Sequence, residues 1–418
     1  MTRRGLMAAC AVALVLGCTE DPTAPATCPD FCPGGNITLV DTLLTTVIER
    51  DTAYRGYLEP RGSAALLAAS LPTVVDSRPI VLFQSLGKTV QLAGDTAQRN
   101  ILVTDSVRLA LTVIRRDTSV RNLRLQLYRL PRNIDSTTSF ADLTGAFTDS
   151  LVRTVNVDSL VRAANHKDTV TKDSVFVATN LSVRVMLKLG QAEAPFSPAD
   201  SGTLAYGVRI VADTFTSAAF GSNESGDPPI INWFFSVDSS GTTTHTTRVV
   251  APQFDSYVFN PPLAPLDSTL AVGGMPSERS LLRVVLPRRF RDSTQIVRAT
   301  LQLMPSTIAR GAPRDSFTLV AHAVAADLGG KSTLLGGTDS SYFGTGPVLI
   351  GSSDTVRVEI TRILRRWSTD TLLPNTFVLR SGSEGIILTE IRFQPSQHPT
   401  LAPTIRVTYS SPFPFGTP

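Results

Sequence analysis

The residue types that carry most enzyme chemistry are sparse in this chain and poorly spaced for it. The four histidines, His166, His245, His322 and His398, lie far apart, and none has a second ligand at metal-binding spacing. His322 alternates within the strand-like run "LVAHAV" and reads as a structural position. No Gly-x-Ser-x-Gly elbow, His-Glu-x-x-His helix or phosphate loop occurs. "GKST" (330–333) lacks the upstream glycine of a phosphate loop and reads as a turn. Aspartates fall mostly in Asp-Ser and Asp-Thr pairs, at Asp76, Asp105, Asp117, Asp149, Asp173, Asp238, Asp292, Asp315 and Asp354. There the carboxylate bonds nearby backbone and shapes turns. Glycoside cleavage needs two carboxyls roughly 5 to 9 Å apart across a cleft, and nothing in the sequence marks such a pair. No catalytic residue, cofactor or metal site is expected, and a lipid-anchored hydrolase is the least favoured reading.

Binding chemistry is thin as well. Sugar recognition by stacking needs exposed aromatic rings, and aromatics make up only 7% of the chain. Trp233 sits in "IINWFF", apolar enough to be core, and Trp367 lies on an apolar stripe. Tyr54, Tyr57, Tyr257 and Phe259 remain as weak ligand-binding candidates, set against the plainer role of core or edge packing. "SNESGD" (222–227) offers oxygens that could hold a structural calcium, although a plain turn is the favoured reading and calcium is not indicated. The formal net charge is +4 and is spread over the whole chain, so no nucleic-acid partner is expected.

The N-terminus is more legible. Arg3 and Arg4 precede an apolar run from Leu6 to Leu16, followed by Gly17 and Cys18. That run is too short to span a bilayer, which takes about 20 residues, and fits a secretory signal. "VLGC" resembles the bacterial lipobox, with Leu16 a less usual middle residue. The resemblance implies removal of residues 1–17 and lipidation of Cys18; an ordinary secretory signal with an incidental cysteine is the alternative. Thr19 stands where an aspartate favours inner-membrane retention, which points to the outer membrane. Residues 18–45 begin with a Pro- and Thr-rich tract that reads as a tether. Cys28 and Cys32 lie in it, and outside the cytoplasm a local disulfide is the plain reading.

The elements that would position any site are strands. "SVRLALTVIRR", "LSVRVMLKL", "IVRATLQLMP", "FTLVAHAV", "TVRVEI" and "TIRVTY" alternate apolar and polar residues, the pattern of half-buried strands. Turn residues separate them. Such a series predicts an antiparallel sandwich. One stretch departs from it. In "VRVEITRILRRWSTD" (356–370), Ile360, Ile363, Leu364 and Trp367 share a helical face while Arg362, Arg365 and Arg366 share the other. The spacing predicts a strand running into a short helix, with Trp367 in the core and Thr361 capping the helix start.

An internal repeat organises the rest. Residues 51–72 align with 255–276, matching Asp51 to Asp255, Leu67 to Ala271 and Pro72 to Pro276. Residues 154–164 align with 357–367, placing Asp158 opposite Thr361, and 205–235 align with 374–409. The expected fold is all-β: two tandem antiparallel, jelly-roll-like β-sandwich domains, each with one short helix, after a signal peptide and flexible tether. The expected boundaries are 46–240 and 253–411, with a linker at 241–252 and a tail at 412–418.

The second copy resembles the DNRLRE-type β-sandwich of bacterial surface proteins, which is related to carbohydrate-binding modules. The likeness rests on the ordered set "DSYV", "STLAVGG", "ERSLLRVVLP", "RATLQLM", "VRVEITRILRRW", "NTFVLRS" and "TIRVTY". It covers 255–409 well and the first copy weakly. Val284 and Val285 stand where the family usually has Phe-Asp, and Ala164 stands where the second copy has Trp367. The resemblance implies a sandwich and a non-catalytic role. The expectation is a lipid-anchored envelope protein for surface structure or adhesion, with carbohydrate binding as the alternative. Its partners would be the membrane through the lipid and a polysaccharide or another envelope protein.

Overall fold

The computed structural model describes residues 39–410 except 56–59, 72–74, 85–86, 95, 159–173, 178–182, 191, 195–202, 240, 261–268, 276, 293, 312–316, 337–338 and 340. The signal and lipobox residues, Cys18, Cys28, Cys32, Tyr57 and the tail at 412–418 lie outside the described residues. Almost every element is an antiparallel strand, and together they build sandwich-like units.

Alternation decides which side each strand buries. In the C-terminal unit one layer has four strands, in the order Leu39–Leu44, Thr404–Ser410, Gln295–Leu303 and Val356–Glu359. Ile405, Val407, Leu301 and Val358 point inward and are fully buried. The facing layer runs Arg310–Gly311, Thr389–Phe393, Leu270–Gly273, Glu278–Val284, Thr376–Ser381, Phe317–Ala323 and Phe343–Val348, with Ile48–Arg55 laid along Glu278–Val284. Val272, Leu282, Phe377 and Leu379 close the same core from that side. Each such side chain contributes about 1.5 to 3 kcal/mol by leaving water.

The other unit repeats this order. Thr242–Val250, Ile230–Ser239, Gln98–Arg116 and Val183–Leu189 form one layer. Thr216–Gly221, Ala65–Leu71, Val75–Phe83, Ala205–Val211, Arg124–Arg129 and Leu151–Asn156 form the other. Pro252–Phe259 lies along Val75–Phe83. The strand Gln98–Arg116 bends at bulges and also pairs with Thr216–Gly221, so both layers join into one 13-stranded sheet. The two units meet through a third apolar cluster, where Ala65, Leu67, Ala69 and Tyr257 receive Met275 and Leu388. Ser63 Oγ and Arg115 Nη2 donate to the carbonyls of Gly385 and Ile386 across this contact, at 2.7 and 2.6 Å.

The expected boundaries fail at both openings. Residues 39–44, assigned to the tether, are a strand paired with 404–410 from Leu39↔Ser410 to Leu44↔Ile405. Residues 48–55, assigned to the first domain, pair with 278–284 of the second. The expected linker is the strand Thr242–Val250, and Pro252–Phe259 pairs with the first unit. Asp51 stands opposite Leu282 and Asp255 opposite Val81, so the aligned segments do occupy matching sites, each in the other's sandwich. Period-two patterning marks which residues are strands but not which neighbour they join.

Two finer expectations also change. By position in the layers, Leu151–Asn156 corresponds to Phe343–Val348, so the alignment of 154–164 with 357–367 matches non-equivalent strands. Among the described residues the named helices are Ala146–Asp149 in the first unit and both Arg289–Asp292 and Thr361–Thr369 in the second, so the second carries two rather than one, and Val157 and Asp158 are helical as well. Residues 159–164 lie outside the described residues.

The strand Phe343–Val348 packs backbone to backbone against Val356–Glu359. A Cβ on Gly344 would lie 1.6 Å from the Glu359 carbonyl oxygen, and one on Gly346 2.1 Å from that of Arg357. Gly344→Ala must therefore force the layers apart. A loss of about 2 kcal/mol or more in urea unfolding is expected, and a change within about 0.5 kcal/mol would show that the layers part freely.

Candidate binding surface

The outward residues of the four-stranded layer form polar rows fixed by register. Asp41, Thr408 and Arg298 stand side by side, as do Arg406, Thr300 and Glu359, and then Gln302 and Arg357. Asp41 accepts from both Arg406 and Thr408, and Arg406 holds the Asp41 carboxyl below its ordinary value. Arg298 donates to Glu359 at 3.3 Å. These residues line a hollow of about 410 Å³. Thr345 and Glu359 lead on to a second hollow of about 340 Å³, bounded by Gly344, Thr361, Arg362 and Arg365. A third, of about 420 Å³, lies between Tyr342, Asp339 and Arg366. The three follow one another from the sheet face to the polar side of the helix Thr361–Thr369. Six arginines border this strip against Asp41, Glu359 and Asp339.

The helix sits where its apolar stripe predicts. Ile363, Leu364 and Trp367 are buried, and the Trp367 ring stacks on Phe377 at 5.9 Å between centroids. Thr361 is not its cap. The Thr361 hydroxyl accepts the Ala299 N–H of the neighbouring strand at 2.6 Å, while the Thr361 N–H donates to the Glu359 carboxylate at 3.2 Å. In the first unit Asp158 accepts the Leu123 N–H at 3.0 Å. Arg365 donates to the carbonyls of Ile296 and Val297 and so ties the helix to the sheet. Arg366 reaches Asp370.

Among the described residues, the aromatic candidates Tyr54, Tyr257 and Phe259 are engaged in packing. Tyr257 is 2% exposed and its hydroxyl faces Ser63 between the two units. Phe259 packs beside it, with ring centroids 6.3 Å apart. Tyr54 lies against Leu281, Val324 and Val378 and covers Gly329 and Gly330. Trp233 is buried and donates to Thr104 Oγ1. In the "SNESGD" loop Ser222 is buried and residues 223–226 are exposed; the Asn223 N–H donates to Asp255, and Asp227 faces Arg184. Among the described residues, no three His, Cys, Asp or Glu side chains gather as a metal site.

One constellation escaped the sequence reading. Glu278 and Glu390 both stand opposite Gly273, in ladders on either side of it. Each meets an arginine, Arg55 for Glu278 and Arg392 for Glu390. Burial, and then the Glu390 charge, push the Glu278 carboxyl up. The pair resembles an acid and base, but the two residues are 0% and 2% exposed. A substrate could enter only if strands separated, so the arrangement pins strands together. The signal available in the sequence was an acid at a buried position of "SERS" and "TEIRF". For the arginine strip it was the outward arginine of "VRVE" and "TIRVTY".

His322 is 1% exposed, with Nε2 donating to the Leu335 carbonyl at 2.7 Å, and burial holds its pKa down. The bidentate Arg283 guanidinium lowers Asp327 to about 2. Both folded pKa values lie below the unfolded ones, so each group's contribution is lost on acidification. His322 acts as pH falls below about 6.5 and Asp327 between about 4 and 2. The urea midpoint should fall through both windows, and Asp327→Asn should flatten the lower one. A limb unchanged by that substitution would remove Asp327 from the account.

No helix among the described residues is long and apolar enough to cross a membrane. No family model, curated protein or solved structure matches the chain.

Proposed function

We propose that this chain is a non-catalytic, lipid-anchored protein of the bacterial cell envelope, displayed at the outer membrane, with its two sandwiches serving surface structure or adhesion. The observation that carries the reading is the signal-like run that ends in the lipobox-like "VLGC" and is followed by a Pro- and Thr-rich tract. The internal repeat supports two display modules behind such an anchor. Expression of Cys18→Ala beside the unaltered chain tests it by membrane fractionation. Release into the soluble fraction is expected, and unchanged membrane retention would overturn the anchor.

The arginine strip favours one second reading, recognition of an acidic polysaccharide. Guanidinium forks match carboxylate and sulfate geometry, and the DNRLRE-type resemblance agrees with a carbohydrate partner. Affinity electrophoresis should show retardation by acidic but not neutral polysaccharides, lost in Arg298→Ser/Arg357→Ser. Equal migration in all gels would dispose of this reading.

A further inference from the structure

Each sandwich is completed by a two-strand segment, which in the first unit continues its own run of sequence and in the second lies about 200 residues upstream of the rest. Thr242–Val250 and Pro252–Phe259 close the first unit, and they lie directly upstream of the second unit's opening strand Leu270–Gly273. Leu39–Leu44 and Ile48–Arg55 close the second, and they lie directly upstream of the first unit's opening strand Ala65–Leu71. One rule covers both: a sandwich is closed by the pair that leads into the next sandwich. For the second unit, the next sandwich is the first unit of this chain or the first unit of another chain. The same hydrogen bonds form either way.

We propose that the acceptor in the second sandwich also takes the segment 39–55 of a second copy of this chain, giving head-to-tail strand-exchanged assemblies. Three observations favour it. Asp41 and Arg406 bond across 365 residues of sequence, so in N-to-C synthesis and export the donor waits for its acceptor until the whole chain has arrived. During that interval an acceptor on a neighbouring copy competes. The donor is also held lightly at its start: Leu39 and Leu43 are 57% and 52% exposed, and only Leu44 of Leu39–Leu44 is fully buried. Finally, the contact is heterologous, so repetition extends it into a series instead of closing it at a dimer. The proposal rests on strand pairing alone and holds with or without a lipid or a polysaccharide ligand.

The test uses the full chain exported behind an ordinary cleavable signal, with Cys18, Cys28 and Cys32 replaced by Ser. One tagged version carries Leu43→Cys and a differently tagged version carries Arg406→Cys, two positions that face each other in register. Co-expression and oxidation should give a disulfide-linked species bearing both tags, absent when either version is expressed alone. Sedimentation of the chain without these two cysteines should show species above monomer that grow with concentration. A third version carrying both cysteines serves as the control: linkage within that chain, with no two-tag species on co-expression of the single-cysteine versions, would overturn the proposal. Sedimentation showing only monomer, or larger species without the two-tag linkage, would overturn it equally.

Discussion

Removal of residues 39–55 unfolds the second sandwich and leaves the first standing. The deletion strips the edge from Thr404–Ser410 and the long partner from Glu278–Val284. It also removes Leu44, Val47 and Ile48 from the core and leaves the buried Glu278 without Arg55. Three buried apolar side chains cost about 2 to 5 kcal/mol each when truncated in place. An unpaired buried carboxylate adds about 3 to 5 kcal/mol. The sum reaches or exceeds the whole stability of an ordinary domain, about 5 to 15 kcal/mol. Hydrogen exchange should show protection lost across 270–410 and kept across 65–259. Retained protection in both would mean that the segment is a surface ornament. Loss in both would mean that the units do not fold separately.

The second large effect belongs to Trp367. Trp367→Ala should lower the stability of the second unit by about 3 to 5 kcal/mol. The ring is 1% exposed and lies flat on Phe377, so truncation leaves a cavity and breaks a stacked pair. Its indole N–H finds no partner among the described residues. Trp367→Phe should therefore recover most of the loss, since no hydrogen bond is given up. Urea unfolding measures both variants. A loss within about 0.5 kcal/mol for the alanine variant would place the ring at the surface.

The class of fold was legible because alternation is a local property. Leu109, Leu111 and Val113, or Ile405 and Val407, declare their buried side within a few residues. The helix was legible for the same reason, from Ile360, Ile363, Leu364 and Trp367. Partnership between strands is not local. Nothing in "LVDTLL" says that its neighbour is "TIRVTYS", or that "DTAYR" belongs beside "ERSLLRV". The repeat suggested the reverse, because aligned segments are most simply placed each in its own copy. Capping failed on the same ground. Thr361 has the right type for a helix start, but the Ala299 N–H from another strand claims its hydroxyl. The arginine strip needed three strands in register before Arg298, Arg357 and Arg406 became neighbours.

The register pair Leu39↔Ser410 has a further meaning for the gene. Both ends of the described chain arrive at one spot, so a short bridge could join them without disturbing a strand. If the joined chain were reopened between residues 56 and 59, every pairing would survive. The order would then run 60–259 for one complete sandwich and 270–410 followed by 39–55 for the other. Such a circular permutant would be a plain tandem array, each unit whole within its own stretch of sequence. The interleaving of the two sandwiches thus comes from where the repeat is cut, and its frame begins near Pro60.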